Sequence, residues 1–133
     1  MEPRAAAGLL QSVLAGRPAP ALGDLHTVMA GLSCRDVSPV AWAIVEPGSA
    51  AFMTVAEEDV HPMMRRLAQP VGNRRTVVAG ESGVAGLLGL MALAARPEWR
   101  DAVRLDGTSR VLAINTEGAT DPELYERILR GET

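Results

Sequence analysis

The stretch from Val84 to Ala95 carries no charged residue, and it limits what the rest of the chain can build. It is too short to cross a bilayer and too apolar for a helix with one face in water, so it is read as a buried helix. Val77, Val78 and Ala79 come before it as a short apolar run, the pattern of a strand covered on both faces. Between them, Gly80-Glu81-Ser82-Gly83 breaks the pattern. Glycine lets a backbone turn sharply and approach a neighbour closely, and the N–H groups of a helix start attract polar or anionic atoms. The Glu81 carboxylate and the Ser82 hydroxyl therefore read equally well as helix caps and as the edge of a ligand site.

Earlier in the chain, Ala6, Leu9, Leu10, Val13 and Leu14 recur at helical spacing, and Gly16-Arg17-Pro18 stops that helix. Leu25 to Asp36 has mixed periodicity and is read as a loop or broken helix. A short helix is expected over Pro39 to Val45 with Trp42 on its buried side, then a turn at Pro47-Gly48 and a strand over Ala51 to Val55. Thr54 and Glu57 have capping-box spacing ahead of a helical face of Val60, Met63, Met64 and Leu67, and Pro70 to Arg75 reads as a polar loop. Beyond the central helix, Pro97 opens a short helix with Trp99, Asp106-Gly107 turns the chain, and Val111 to Ile114 is a second apolar strand. Asn115 to Asp121 is a polar loop, and Thr120 or Asp121 caps a last helix. Leu124, Tyr125, Ile128 and Leu129 are its inward face, and Gly131 ends it. Strands alternating with helices predict an α/β class: a mostly parallel sheet with flanking helices, in one segment with no second domain.

Charge and composition exclude several functions. A net charge of −3 with scattered arginines argues against a nucleic-acid surface. The start, Met1 to Ala15, is a poor secretion signal and a better amphipathic helix, so neither export nor a membrane partner is expected. Cys34 is the only cysteine, which rules out an intrachain disulfide or a zinc cluster and points to a reducing, cytoplasmic setting; it is read as a small buried apolar residue. No metal site is expected. All 13 basic residues are arginine, so no side-chain amine can form a Schiff base and no Walker-type lysine exists.

In an open parallel sheet, ligands bind just past the carboxyl ends of the strands. Two such ends stand out, Gly80-Glu81-Ser82-Gly83 and Asn115-Thr116-Glu117-Gly118. If their strands are close, the two turns face one crevice that suits a small molecule; otherwise both simply cap helices. Sharper motifs fail. Gly80 to Val84 approaches G-x-S-x-G but ends in valine, and Gly80, Gly83 and Gly86 do not have dinucleotide-fingerprint spacing. His61 lies in a polar helix start and is read as solvated.

The runs VVAGESGVAGLLGLMALA, RVLAINTEGATDPELYERIL and LHTVMAGLSCRDVSPVAW resemble the C-terminal part of the diaminopropionate ammonia-lyase family. That family belongs to the fold type II pyridoxal-phosphate enzymes, with the threonine/serine dehydratases and tryptophan synthase β. The resemblance runs from Glu2-Pro3 to about Gly131, and INTEGATDPE is its most specific motif. It implies pyridoxal 5′-phosphate as cofactor, a small amino acid as substrate, and a place in amino-acid catabolism. It puts Thr116 where relatives present a hydroxyl to the pyridine nitrogen, and Glu81 near the cofactor ring. Asn115 and Ser82 become neighbours in the same shell, and Thr27 with Ala30 and Gly31 falls in a segment near the substrate entrance.

The family's Schiff-base lysine, the asparagine loop beside it and the glycine-rich phosphate loop have no counterpart in this sequence. The resemblance therefore implies the C-terminal third of a larger enzyme, with Met1-Glu2-Pro3 matching the tail of a strand, and this chain alone is expected to be inactive. The rival is a non-catalytic α/β remnant, or a binding module that partners the rest of a split enzyme. Homo-oligomerisation, or association through uncovered sheet edges, is also expected.

Overall fold

The computed structural model describes residues 1–72 and 75–133, so the loop expected over Pro70 to Arg75 lies partly outside the described residues. Strand β1 (Glu2–Pro3) pairs in parallel with β2 (Thr54–Val55), Glu2 opposite Thr54 and Pro3 opposite Val55. Glu2 does a second job. Its two carboxylate oxygens accept the Leu9 and Leu10 N–H groups at 2.8 and 3.0 Å, at the start of helix α1 (Gly8–Ala15). Those donors have no partner within the helix, and a negative charge there also suits the helix dipole. Gly16, at φ 65°, closes α1 in the left-handed region.

Helix α2 (Pro39–Gly48) starts on a Ser38 cap, whose hydroxyl accepts the Ala41 N–H at 3.3 Å. It runs through Pro47-Gly48 instead of turning there, because a proline in the last turn removes a single donor just where the helix ends. It buries no residue, and Trp42 is only half-buried, contrary to the inward placement expected of it. Helix α3 (Val60–Ala68) follows a 3-10 turn, Glu57–Asp59. The capping box does not form, because Thr54 is taken up by β2 and Glu57 turns to another segment. The helical face forms as expected, with Val60, Met63 and Met64 buried.

Helix α4 (Ala85–Ala94) is the charge-free stretch, and it buries Ala85, Leu88, Gly89 and Leu93 while Met91 stays 42% exposed. Helix α5 (Pro97–Ala102) carries Trp99, with the Arg96 guanidinium 3.9 Å over its ring. Helix α6 (Pro122–Arg130) settles the choice of cap: the Asp121 carboxylate accepts the Leu124 N–H at 3.0 Å. The core lies where α3, α4 and α6 meet, with Met29, Val60, Met64, Val84, Tyr125 and Ile128 buried together. No helix among the described residues is long and apolar enough to cross a membrane.

The parallel α/β class holds, but the sheet is narrow. Neither Val77 to Ala79 nor Val111 to Ile114 forms a ladder, and of the first run only Ala79 is buried. A strand needs neighbours for its N–H and C=O groups, and here those groups find isolated partners. Val77 N–H donates to the Leu67 carbonyl, and the Val78 carbonyl accepts from the Asn115 side chain, both at 2.9 Å. Val78 stays 53% exposed, Leu112 85% and Ile114 70%, so neither run is covered as its sequence pattern suggests. Cys34 is exposed as well, not buried: it follows the 3-10 turn Ala30–Leu32, tied to it by its N–H on the Leu32 carbonyl at 2.9 Å, and packs into no core.

Candidate functional site

The two polar turns picked out from the sequence lie against each other. Gly80 N–H donates to the Glu117 carbonyl at 2.9 Å, and Ser82 N–H donates to Glu117 Oε2 at 2.6 Å. The Asn115 side chain joins in from the next position, with Nδ2 on the Val78 carbonyl and Oδ1 accepting the Glu117 N–H at 3.4 Å. This close approach explains the glycines. A Cβ on Gly80 would come within 2.7 Å of Glu117 Cγ, and one on Gly83 within 2.6 Å of the Glu117 carbonyl oxygen.

A third segment meets the same turn. Ser82, buried at the head of α4, accepts the Gly31 N–H on its Oγ at 3.0 Å. Thr27, four positions earlier, accepts the Met29 N–H at 3.1 Å and so shapes the entry to the Ala30–Leu32 turn. Beyond it, Glu57 Oε2 accepts the Val28 N–H at 3.0 Å. The structure thus brings Ser82, Asn115 and Gly31 into one hydrogen-bonded group. Thr116 is exposed between the anchored Asn115 and Glu117; Glu81 is half-buried beside Ser82, and Ala30 is exposed beside Gly31.

Two acidic residues have roles that spacing did not suggest. Glu117 was visible only as one carboxylate of a polar loop, and its partner lies 35 positions away, beyond the reach of any local pattern. Glu57 matched a capping box, which hid its contact with a backbone N–H 29 positions away.

The chemistry available here is neutral hydroxyls, an amide, the Glu81 carboxylate, and the Glu117 and Glu57 carboxylates, each of which accepts a backbone N–H on one oxygen. No group of histidine, cysteine, aspartate and glutamate side chains among the described residues is placed to hold a metal ion. A cleft of about 370 Å³ lies elsewhere, lined by Leu10, Phe52, Met53, Leu93, Trp99 and Val103. It has the volume of a small-ligand pocket but lacks the convergent polar groups that orient a ligand. A smaller cleft of about 270 Å³ includes Gly31, Leu32 and Cys34. The polar turns therefore remain the candidate site.

No protein-family model matches the chain. It is 33% identical over 97% of its length to the diaminopropionate ammonia-lyase of Salmonella typhimurium, and 34% identical over 80% of its length to that of Escherichia coli K12. The chain spans about a third of the length of the curated relatives it matches. Among solved structures, it is similar to the Escherichia coli diaminopropionate ammonia-lyase in complex with D-serine, with a TM-score of 0.80 and 28% identity. That likeness covers 99% of this chain and 33% of that one. The same enzyme in complex with an aminoacrylate–pyridoxal-phosphate azomethine reaction intermediate matches at a TM-score of 0.78 and 29% identity, over 99% of this chain and 34% of that one.

A parallel α/β body whose helix-start turn meets a polar loop, superposing on such an enzyme along its whole length, has the fold of the type II pyridoxal-phosphate enzymes. Within that class the chain is a homologue of one part of diaminopropionate ammonia-lyase, and a C-terminal part is consistent with the coverage.

Proposed function

We propose that the chain is the segment flanking the cofactor ring in a pyridoxal-phosphate ammonia-lyase. The complete enzyme would act by α,β-elimination on 2,3-diaminopropionate or a similar amino acid, releasing ammonia and leaving pyruvate. The observation that carries this reading is the hydrogen-bonded meeting of the Gly80–Gly83 turn with the Asn115–Gly118 loop, in a chain similar along its length to that enzyme.

The donor set suits one edge of the cofactor. Thr116 is exposed on a loop whose neighbours are pinned, and it offers a neutral hydroxyl in place of an acid. Such a group can pair with a ring nitrogen without fully protonating it. Glu81, Asn115 and Ser82 complete that edge, and Thr27, Ala30 and Gly31 flank the amino-acid side. When bound, pyridoxal phosphate supplies an electron sink for the pair left at the substrate α-carbon. The donor set does not suit covalent attachment, since all 13 basic side chains are arginine. This chain alone is therefore inactive and works only with a lysine-bearing remainder. That same absence favours the second reading, a binding module that partners the rest of a split enzyme. The lone cysteine fits a reducing, cytoplasmic setting.

Two measurements test the proposal. The isolated chain mixed with pyridoxal phosphate should change the cofactor absorbance no more than its terminal amine explains. It should turn over diaminopropionate or serine no faster than free cofactor does; clear turnover would overturn the assignment. In an enzyme assembled from this segment and a lysine-bearing remainder, Thr116→Ser should keep cofactor affinity. Thr116→Val should weaken it by about 1–3 kcal/mol through an unpaired buried nitrogen. Unchanged affinity in the valine variant would remove Thr116 from the site.

A further inference from the structure

Glu117 is the one side chain that reaches from the Asn115–Gly118 loop into the Gly80–Gly83 turn by its charge. Its carbonyl takes the Gly80 N–H and its carboxylate takes the Ser82 N–H, so it grips the turn at two points. The 2.6 Å separation at Ser82 is that of a charge-assisted hydrogen bond. Ser82 passes the constraint on, because its Oγ accepts the Gly31 N–H, 51 positions earlier in the chain. We propose that Glu117 is a positioning residue that sets, through Ser82, where the Ala30–Leu32 turn lies relative to the Asn115–Gly118 loop.

The packing supports a built latch. A Cβ on Gly31 would sit 3.0 Å from Ser82 Oγ, and one on Gly80 would sit 2.8 Å from Glu117 Oε2. Both links of the relay thus run past a glycine that leaves room for them. Ser82 is 7% exposed, so its hydroxyl has little water to fall back on, whereas Gly31 is exposed and can exchange its amide once the link is lost. Accepting from Gly31 leaves the Ser82 hydroxyl its own proton to donate. Glu117 touches neither cofactor nor substrate in this scheme; it fixes the distance between the segments that flank them. A displacement of about 1 Å at such a distance is enough to cost a large part of a reaction rate. The function of the latch rests on the proposed lyase reading, but the relay itself does not.

The test uses backbone amide signals of the full 133-residue chain. Ser82→Ala should speed hydrogen exchange at Gly31 about fivefold, the effect of one net hydrogen bond. Glu117→Ala should speed exchange at Gly31 by a similar factor although it does not touch that residue, and the double variant should add nothing further. Exchange at Gly31 that responds to Ser82→Ala and ignores Glu117→Ala, or effects that simply add, would overturn the relay. If Glu117→Ala fails to fold, Glu117→Gln decides. It keeps the shape and removes the charge, so the Ser82 amide proton should move upfield and the Gly31 amide should shift with it. A static Gly31 amide would overturn the proposal. In an enzyme assembled with the lysine-bearing remainder, Glu117→Gln should raise KM for the amino acid more than it lowers kcat. Absence of any lyase activity there, with the amide coupling intact, would sink the functional reading and leave the relay standing.

Discussion

Tyr125 places its hydroxyl in the core without a hydrogen-bond partner among the described residues, and the residue is only 7% exposed. An unpaired buried hydroxyl costs about 1–3 kcal/mol, while its ring still contributes packing against α3. Tyr125→Phe should therefore stabilise the fold by about 1 kcal/mol, read as a raised urea midpoint at unchanged slope. Burial, and to a lesser degree the Glu126 carboxylate, hold the phenol above its ordinary range. A folded-state value raised in this way gives stability that is complete below the unfolded value of about 10 and is lost as pH rises past it. The advantage of phenylalanine should thus widen in alkali. A destabilised phenylalanine variant would mean that the hydroxyl is paired in solution.

At the scale of elements, the apolar spacing of Leu9, Leu10, Val13 and Leu14 gave the right helix but the wrong face: α1 buries Gly8 and Ser12 and leaves Leu14 73% exposed. Helices α3 and α6 were readable because their signal is complete within one turn of chain. The face Val60, Met63, Met64 fixed α3, and Tyr125 with Ile128 fixed the inward side of α6. The strands were not, because an apolar run becomes a strand only when a neighbour takes up its backbone groups. Val77 to Ala79 and Val111 to Ile114 have the pattern but no such neighbour among the described residues. The site lay between these limits: its turns were visible as glycine and polar residues, while the Glu117–Ser82–Gly31 links depend on contacts that no spacing encodes. Gly80→Ala tests how tightly the turns are joined. The added methyl meets Glu117 Cγ within 2.7 Å and cannot be accommodated without moving the loop. Overpacking of this kind costs about 1–3 kcal/mol. Thermal unfolding should show that loss, and Gly86→Ala, which meets nothing within 4 Å, should not. Equal behaviour of the two variants would mean that the loop and the turn separate freely.

For the whole molecule, the decisive feature is apolar chain that joins no sheet and stays exposed. Val78, Leu112 and Ile114 are at least half exposed, on segments whose pattern asks for cover on both faces. About two-thirds of the length of the longer relatives lies outside the match. Left alone, such edges pair with whatever edge is near. Burying a leucine or isoleucine side chain is worth about 1.5–3 kcal/mol, so two such residues from each of two copies add to the edge pairing that favours association. Light scattering should show a dimer or larger species at micromolar concentration, growing as concentration rises. Leu112→Asn with Ile114→Asn should shift the population towards monomer while leaving the helical circular dichroism unchanged, since neither residue belongs to the core. A parent chain that stays monomeric and unfolds cooperatively would contradict this, and would mean that α3, α4 and α6 stabilise the body without any cover on these exposed segments.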